Sequence, residues 1–243
     1  MPEKLQFSSI VERSFAILGR NLTGAALLSI VLVGVPSVLL SLQAPMALGQ
    51  PPENPLALIL WMFVLFMGQN LLAGTMLYPT FRHLLGLPPA GIGLLLSYGA
   101  QLALHALVVA VAMAAIIGLG LFFFILPGVI FSLVFFVTMP VAIVERLPVK
   151  EALKRSVFLT EKNRWTLLGY QVIVWIASML LSFFVGVVFH FVGLADVATV
   201  IVSSLVYAFT AIVTSVVYHD LRRMKEGATA EDMVRVLMQE AGR

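Results

Sequence analysis

The chain has 243 residues, of which 60% are hydrophobic and 11% charged, with fifteen Lys and Arg against twelve Asp and Glu for a net charge of +3. A water-soluble domain of this length cannot bury so much apolar surface, so lipid must be the solvent for most of the chain. Cysteine is absent, which excludes a disulfide framework, a thiol nucleophile and a Cys-based metal site.

In chain order, the first polar stretch contains SIVERSFAILGRN, with Arg13 and Arg20. Six apolar runs follow, each close to the roughly 20 residues that a membrane-crossing helix needs. They lie at about 24–42, 56–79, 94–118, within 121–144, at 166–189 and at 197–218. Uninterrupted apolar runs fit helices, because the strands of a barrel would alternate. The first run is too long, and preceded by too long a polar lead, for the core of a cleaved signal. The expected fold is therefore all-α, a single membrane domain over 1–243 with six spans.

The third run places Ala106, Ala110, Ala114 and Gly118 at four-residue spacing, a pattern that lets helix backbones approach closely. It also places Tyr98, Gln101 and His105 on one stripe. An ionisable group at mid-span can mark a functional site. These three are the candidates for lining a cavity; the other reading is a neutral imidazole hydrogen-bonded within the bundle. No Asp, Glu, Lys or Arg falls inside any of the six runs. Gln69, Asn70, Gln171, Ser178 and Ser182 read as polar contacts between helices. In the fourth run, Pro127 and Gly128 break the helical pattern, so the turn from the third span falls at Gly118–Gly120 or at Pro127–Gly128. Pro140 can kink the far end.

Between the fourth and fifth runs, residues 148–165 read PVKEALKRSVFLTEKNRW. Val149, Ala152, Leu153, Ser156 and Val157 recur at helical spacing, with Lys150, Glu151, Lys154, Arg155, Glu161 and Lys162 on the other side. Pro148 suits a helix start. This predicts an amphipathic helix on the membrane surface, its basic side toward anionic headgroups. Arg13, Arg20, Lys150, Lys154, Arg155, Lys162 and Arg164 are the candidate headgroup-binding residues. The tail from Asp220 on contains Thr229 as a helix cap with Asp232 at the third helical position.

All fifteen Lys and Arg fall in the N-terminal segment, at Arg82, at 146–164 and in the tail; 43–55 and 190–196 contain none. By the positive-inside rule both termini are cytoplasmic. A shift of 142 lays Arg13-Ser14 on Arg155-Ser156 and Asn21 on Asn163. A shift of 140 lays Tyr78 and Arg82 on Tyr218 and Arg222. The expected organisation is thus a parallel repeat, 8–82 and 148–223, each a surface helix and two spans, around an inserted hairpin at 94–144, with a tail at 224–243.

No phosphate loop, zinc spacing or nucleophile elbow is present, and paired carboxylates are not evident. The expectation is a non-catalytic protein with no cofactor, no metal and no nucleic-acid partner.

The run from Pro127-Gly128 through Glu145, then Glu151 to Ser156 and Asn163-Arg164-Trp165, resembles the six-span bacterial membrane proteins of the YciC-like kind. The closing Tyr218, Leu221-Arg222-Arg223 and Lys225-Glu226-Gly227 belong to the same pattern, which is also similar to the membrane domain of some glycerophosphodiester phosphodiesterases. The resemblance covers most of the chain and implies six spans in a bacterial inner membrane. Pro127, Gly128, Glu145, Ser156 and Asn163 are its structural positions. With no soluble catalytic domain in this sequence, phosphodiesterase activity is not implied. The expected function is to bind or organise membrane lipids, anionic ones foremost, or to support a cytoplasmic or membrane partner protein. The alternative is a transporter or channel for a small or amphiphilic solute through a cavity between the repeats.

Overall fold

The computed structural model describes residues 5–43, 54–123, 125–191 and 193–233. Among them every regular element is helical, and six helical stretches are long and apolar enough to cross a membrane. Inside hydrocarbon a backbone must satisfy its own hydrogen bonds, which a helix does.

Helix α1, Phe7–Arg20, buries Ile10, Ser14 and Ile17 and leans on the end of the last helix. It stops at Asn21, whose Nδ2 donates to the Ile17 carbonyl at 2.9 Å. The first span, Leu22–Leu40, is not a regular helix. It comprises α2, Leu22–Ser29, a π turn at Ile30–Gly34 and α3, Val35–Gln43. The π turn has a local cause. Pro36 has no N–H to give the Leu32 carbonyl, and the Val35 N–H reaches back five residues to Ile30. The Leu32 carbonyl then lies against Gly68 of the second span, on the spot a Cβ would occupy.

The second span is α4, Pro55–Leu84, with Asn54 as cap: its side chain accepts the Ala57 N–H at 3.0 Å, and Pro55 takes the first helical position. Helix α5, Ile92–Phe123, is the third span, and α6, Ile125–Val134, with α7, Thr138–Val144, makes the fourth. Since α5 runs to Phe123 and α6 begins at Ile125, neither Gly118–Gly120 nor Pro127–Gly128 holds the expected hairpin turn. Gly120 and Gly128 instead face each other across it; a Cβ on Gly120 would come within 3.1 Å of the Gly128 Cα. Pro127 sits in the first turn of α6, where its missing N–H costs nothing. The small-residue stripe is buried at Ala106 and Ala110, but Gly118 is exposed with no neighbour within 4 Å.

Helix α8, Val149–Thr160, buries Ala152, Ser156, Leu159 and Thr160. Helices α9, Arg164–His190, and α10, Ala195–Glu226, are the fifth and sixth spans. Gly227 ends α10 with φ of 67°, the left-handed conformation that glycine adopts without strain. After it, Thr229 and Asp232 form the expected reciprocal cap, at 3.1 and 3.4 Å, and Met233 is buried; the chain beyond Met233 lies outside the described residues.

Helices α4 and α10 form the centre. Leu72, Met76, Leu77 and Phe81 of α4 and Ile212, Val213, Val216 and Val217 of α10 are all buried. Helix α10 also receives α1, the first span and α9. Helix α9 is peripheral: of its residues only Leu167, Tyr170 and Val185 are buried, while Trp175 and Phe183 are 68% and 71% exposed. Such a face suits lipid and not water.

Candidate functional site

Two places concentrate polar groups. The first is the end of the bundle where α1, α8 and the last turns of α4, α7 and α10 meet. Arg13 of α1 grips Asp220 of α10 with both guanidinium nitrogens, Nη1 donating to Oδ1 at 3.0 Å and Nη2 to Oδ2. His219 Nδ1 also lies 3.0 Å from Asp220 Oδ1. Arg155 of α8 donates from Nε to Glu145 Oε2 at 2.8 Å and pairs through Nη2 with Glu226. Burial disfavours its charged form, but the hydrogen bonds and charges of Glu145 and Glu226 outweigh this and raise its pKa above the ordinary arginine value. Tyr218 donates its hydroxyl to Glu145 Oε1 at 3.1 Å and accepts from Arg222 Nη1 at 3.3 Å, while Arg222 Nε donates to Glu226 at 3.1 Å. These contacts tie α7, α8 and α10 together. On α4, Arg82 Nη1 donates to the Tyr78 hydroxyl at 3.2 Å.

The seven cations expected to meet headgroups therefore divide. Arg13 and Arg155 turn inward and serve as structural ion pairs, which corrects the reading of them as lipid-facing. Alternation of charge along a helix does not reveal which carboxylate a distant element will bring. Arg164 is half-buried, its Nε without a hydrogen bond. Arg20, Lys150, Lys154 and Lys162 are exposed, and none forms an ion pair among the described residues. Beside them, the Phe158 ring lies 4.3 Å from Lys225 Nζ and 5.7 Å from the Arg155 guanidinium. Lys225 also donates to the Phe158 carbonyl, and the neighbouring Trp165 is 85% exposed.

The second place lies within the spans. Tyr98, Gln101 and His105 do not form it. Tyr98 is buried with its ring 5.2 Å from that of Tyr78, and Gln101 and His105 are exposed on the outer face of α5. The expected cavity is elsewhere. Helix α9 lies along α10 and meets α6 but makes no extended contact with α4. The gap is a cleft of about 370 Å³, with an adjoining hollow of about 190 Å³. Gln69, Gln171, Tyr207 and Thr210 line both.

Gln69 and Gln171 were expected to bridge helices. Instead neither side-chain amide hydrogen-bonds to the other or to anything else among the described residues. The hydroxyls around them turn to their own helices: Ser178 donates to the Val174 carbonyl at 2.6 Å, Ser203 to Thr199 at 2.7 Å and Thr210 to Val206 at 2.9 Å. Their oxygens are left as acceptors toward the cleft. No Asp, Glu, Lys, Arg or His lines either volume.

No family model matches the chain, and no curated protein and no solved structure matches it either.

Proposed function

We propose that this is a non-catalytic integral membrane protein that binds and organises anionic lipid at the inner leaflet. It would sit in a bacterial inner membrane with both termini cytoplasmic, as a member of the YciC-like kind. The observation that carries this reading is the sorting of cations at the charged end. Arg13 and Arg155, which face the protein, are paired with carboxylates. Those facing outward, Arg20, Lys150, Lys154 and Lys162, are not. Each basic residue at an anionic membrane surface contributes about 1 kcal/mol, and exposed Trp165 and Phe158 suit the headgroup layer.

The parallel repeat belongs to the same proposal. Shifted by 142, the buried set Ile10, Ser14 and Ile17 of α1 falls on Ala152, Ser156 and Leu159 of α8, all buried. Asn21 and Asn163, which stand at the N-caps of the helices that follow, are both buried. The two Tyr–Arg hydrogen bonds, 78 to 82 and 218 to 222, match in atoms. These coincidences support two surface helices of common design.

Mass spectrometry of protein extracted with its native lipids tests the reading. Wild type should retain phosphatidylglycerol or cardiolipin, and R20Q/K150Q/K154Q/K162Q should retain markedly less without unfolding. Equal retention would sink the proposal, and a co-purifying soluble protein in place of lipid would shift it to the partner-supporting role. The alternative, passage of a small or amphiphilic solute, is favoured by one observation, the polar cleft between α4 of the first unit and α9 and α10 of the second.

A further inference from the structure

The cleft itself points to a ligand different from the one at the charged end. Gln69 is the fifteenth of the thirty residues of α4 and lies near its midpoint. Gln171 is eight residues into α9, about 10 Å from the helix start at the 1.5 Å rise of an α-helix. Their amides therefore sit at membrane depth, where an unsatisfied polar group has no water to turn to and is costly. Neither amide has a protein partner among the described residues, so a ligand that hydrogen-bonds both is favoured. The cleft is large enough for a small headgroup with the first methylenes of a chain, since ligand pockets begin near 300 Å³. It offers donors from two amides and the Tyr207 hydroxyl, and acceptors from Ser178, Ser203 and Thr210.

A charged headgroup is excluded by the same lining. No counter-charge is present to offset its desolvation. The sides of the cleft fit an acyl chain: Trp175 and Met179 line it and are at the same time 68% and 63% exposed on the outer surface of α9. The absence of extended contact between α9 and α4 leaves a way in from that side.

We infer that the cleft between α4, α9 and α10 is a binding site for an uncharged, hydroxyl-bearing lipid of the diacylglycerol class, which enters sideways from the bilayer and gives its head to Gln69 and Gln171. The inference does not depend on the basic end, and the two are tested apart.

The experiment uses the full chain in phosphatidylcholine nanodiscs with a diacylglycerol that carries a diazirine on its acyl chain. After irradiation, labelled peptides are mapped by mass spectrometry. Label should saturate, concentrate on the peptides around Trp175–Met179 and Ser203–Tyr207, and be displaced by unlabelled diacylglycerol but not by phosphatidylglycerol. Q69L/Q171L should lower the saturable yield at least fivefold; K150Q/K154Q/K162Q should leave it unchanged. Should the double variant fold poorly, Ser182→Trp fills the cleft from the peripheral helix and should block labelling equally. Label that does not saturate, or that spreads evenly over the outer faces of α5 and α9, overturns the site. Saturable label undiminished in both cleft variants does the same. Displacement by phosphatidylglycerol as effectively as by diacylglycerol overturns the preference for an uncharged head.

Discussion

Ser156 of α8 donates its hydroxyl to the carbonyl of Val134, the last residue of α6, at 2.8 Å. The carbonyl needs that partner because the fourth span is broken there. Pro140 supplies no N–H to the turn before it, and the Thr138 N–H goes to Phe135 at 3.1 Å instead of Val134. Thr160 Oγ1 stands behind Ser156, 3.3 Å from the same carbonyl. Ser156→Ala should destabilise by about 1–2 kcal/mol, the cost of a buried hydrogen bond with a partial substitute. S156A/T160V should cost more than its two single changes added. Unfolding in detergent micelles, read as a double-mutant cycle, checks both statements.

Glu145 accepts from Arg155 and Tyr218 and faces Arg222 at 3.7 Å, so it holds α7 to both α8 and α10. Glu145→Gln keeps the shape and removes the charge. It should destabilise by about 1–3 kcal/mol, because two partly buried guanidiniums lose a counter-charge. Tyr218→Phe should cost less, since Arg155 and Glu226 keep their contact. A Glu145→Gln protein as stable as wild type in thermal melts would show that Glu226 alone suffices.

Gly68 touches the Leu32 carbonyl so closely that a methyl group has no room, and the obstacle is backbone and cannot rotate away. Gly68→Ala should destabilise by about 1–3 kcal/mol through forced separation of the first two spans. Gly118→Ala, where an added Cβ meets nothing within 4 Å, is the control and should be neutral or slightly stabilising, because alanine favours a helix over glycine. Comparable losses in both variants would mean that close approach does not single out Gly68, since helix propensity favours alanine at either position.

His105 lies on the outer face of α5 and not in the cleft. His105→Ala should not destabilise, because it removes a polar group from the lipid-facing side of α5, and should leave retained lipid unaltered. Liposome flux assays with wild type and His105→Ala separate the readings: a solute pathway dependent on His105 would require a different arrangement of α5.

What could be read from the chain was whatever depends on transfer from water to lipid. The six spans, the Thr229 cap and the position of the basic segments follow from local composition and from which side chains can enter hydrocarbon. The span boundaries shifted by a few residues because helices run past the membrane edge: α5 extends to 92–123 where 94–118 was expected. Ser156, Glu145 and Asn163 stood out as a pattern in the sequence without a reason. Their partners, the Val134 carbonyl, Arg155 with Tyr218, and the Leu5 N–H at 3.5 Å, lie 22, 10 and 73, and 158 residues away.

Sequence by itself determined that this chain is a six-span helical membrane protein, because hydrophobicity is a property of each segment alone. Only the tertiary structure decided which cations are spent on carboxylates and which face outward, and that Gln69 and Gln171 border a cleft while His105 does not. Those outcomes depend on how α9 is set against α10 and away from α4. That setting is fixed by packing between distant segments, and packing leaves no period in the sequence to read.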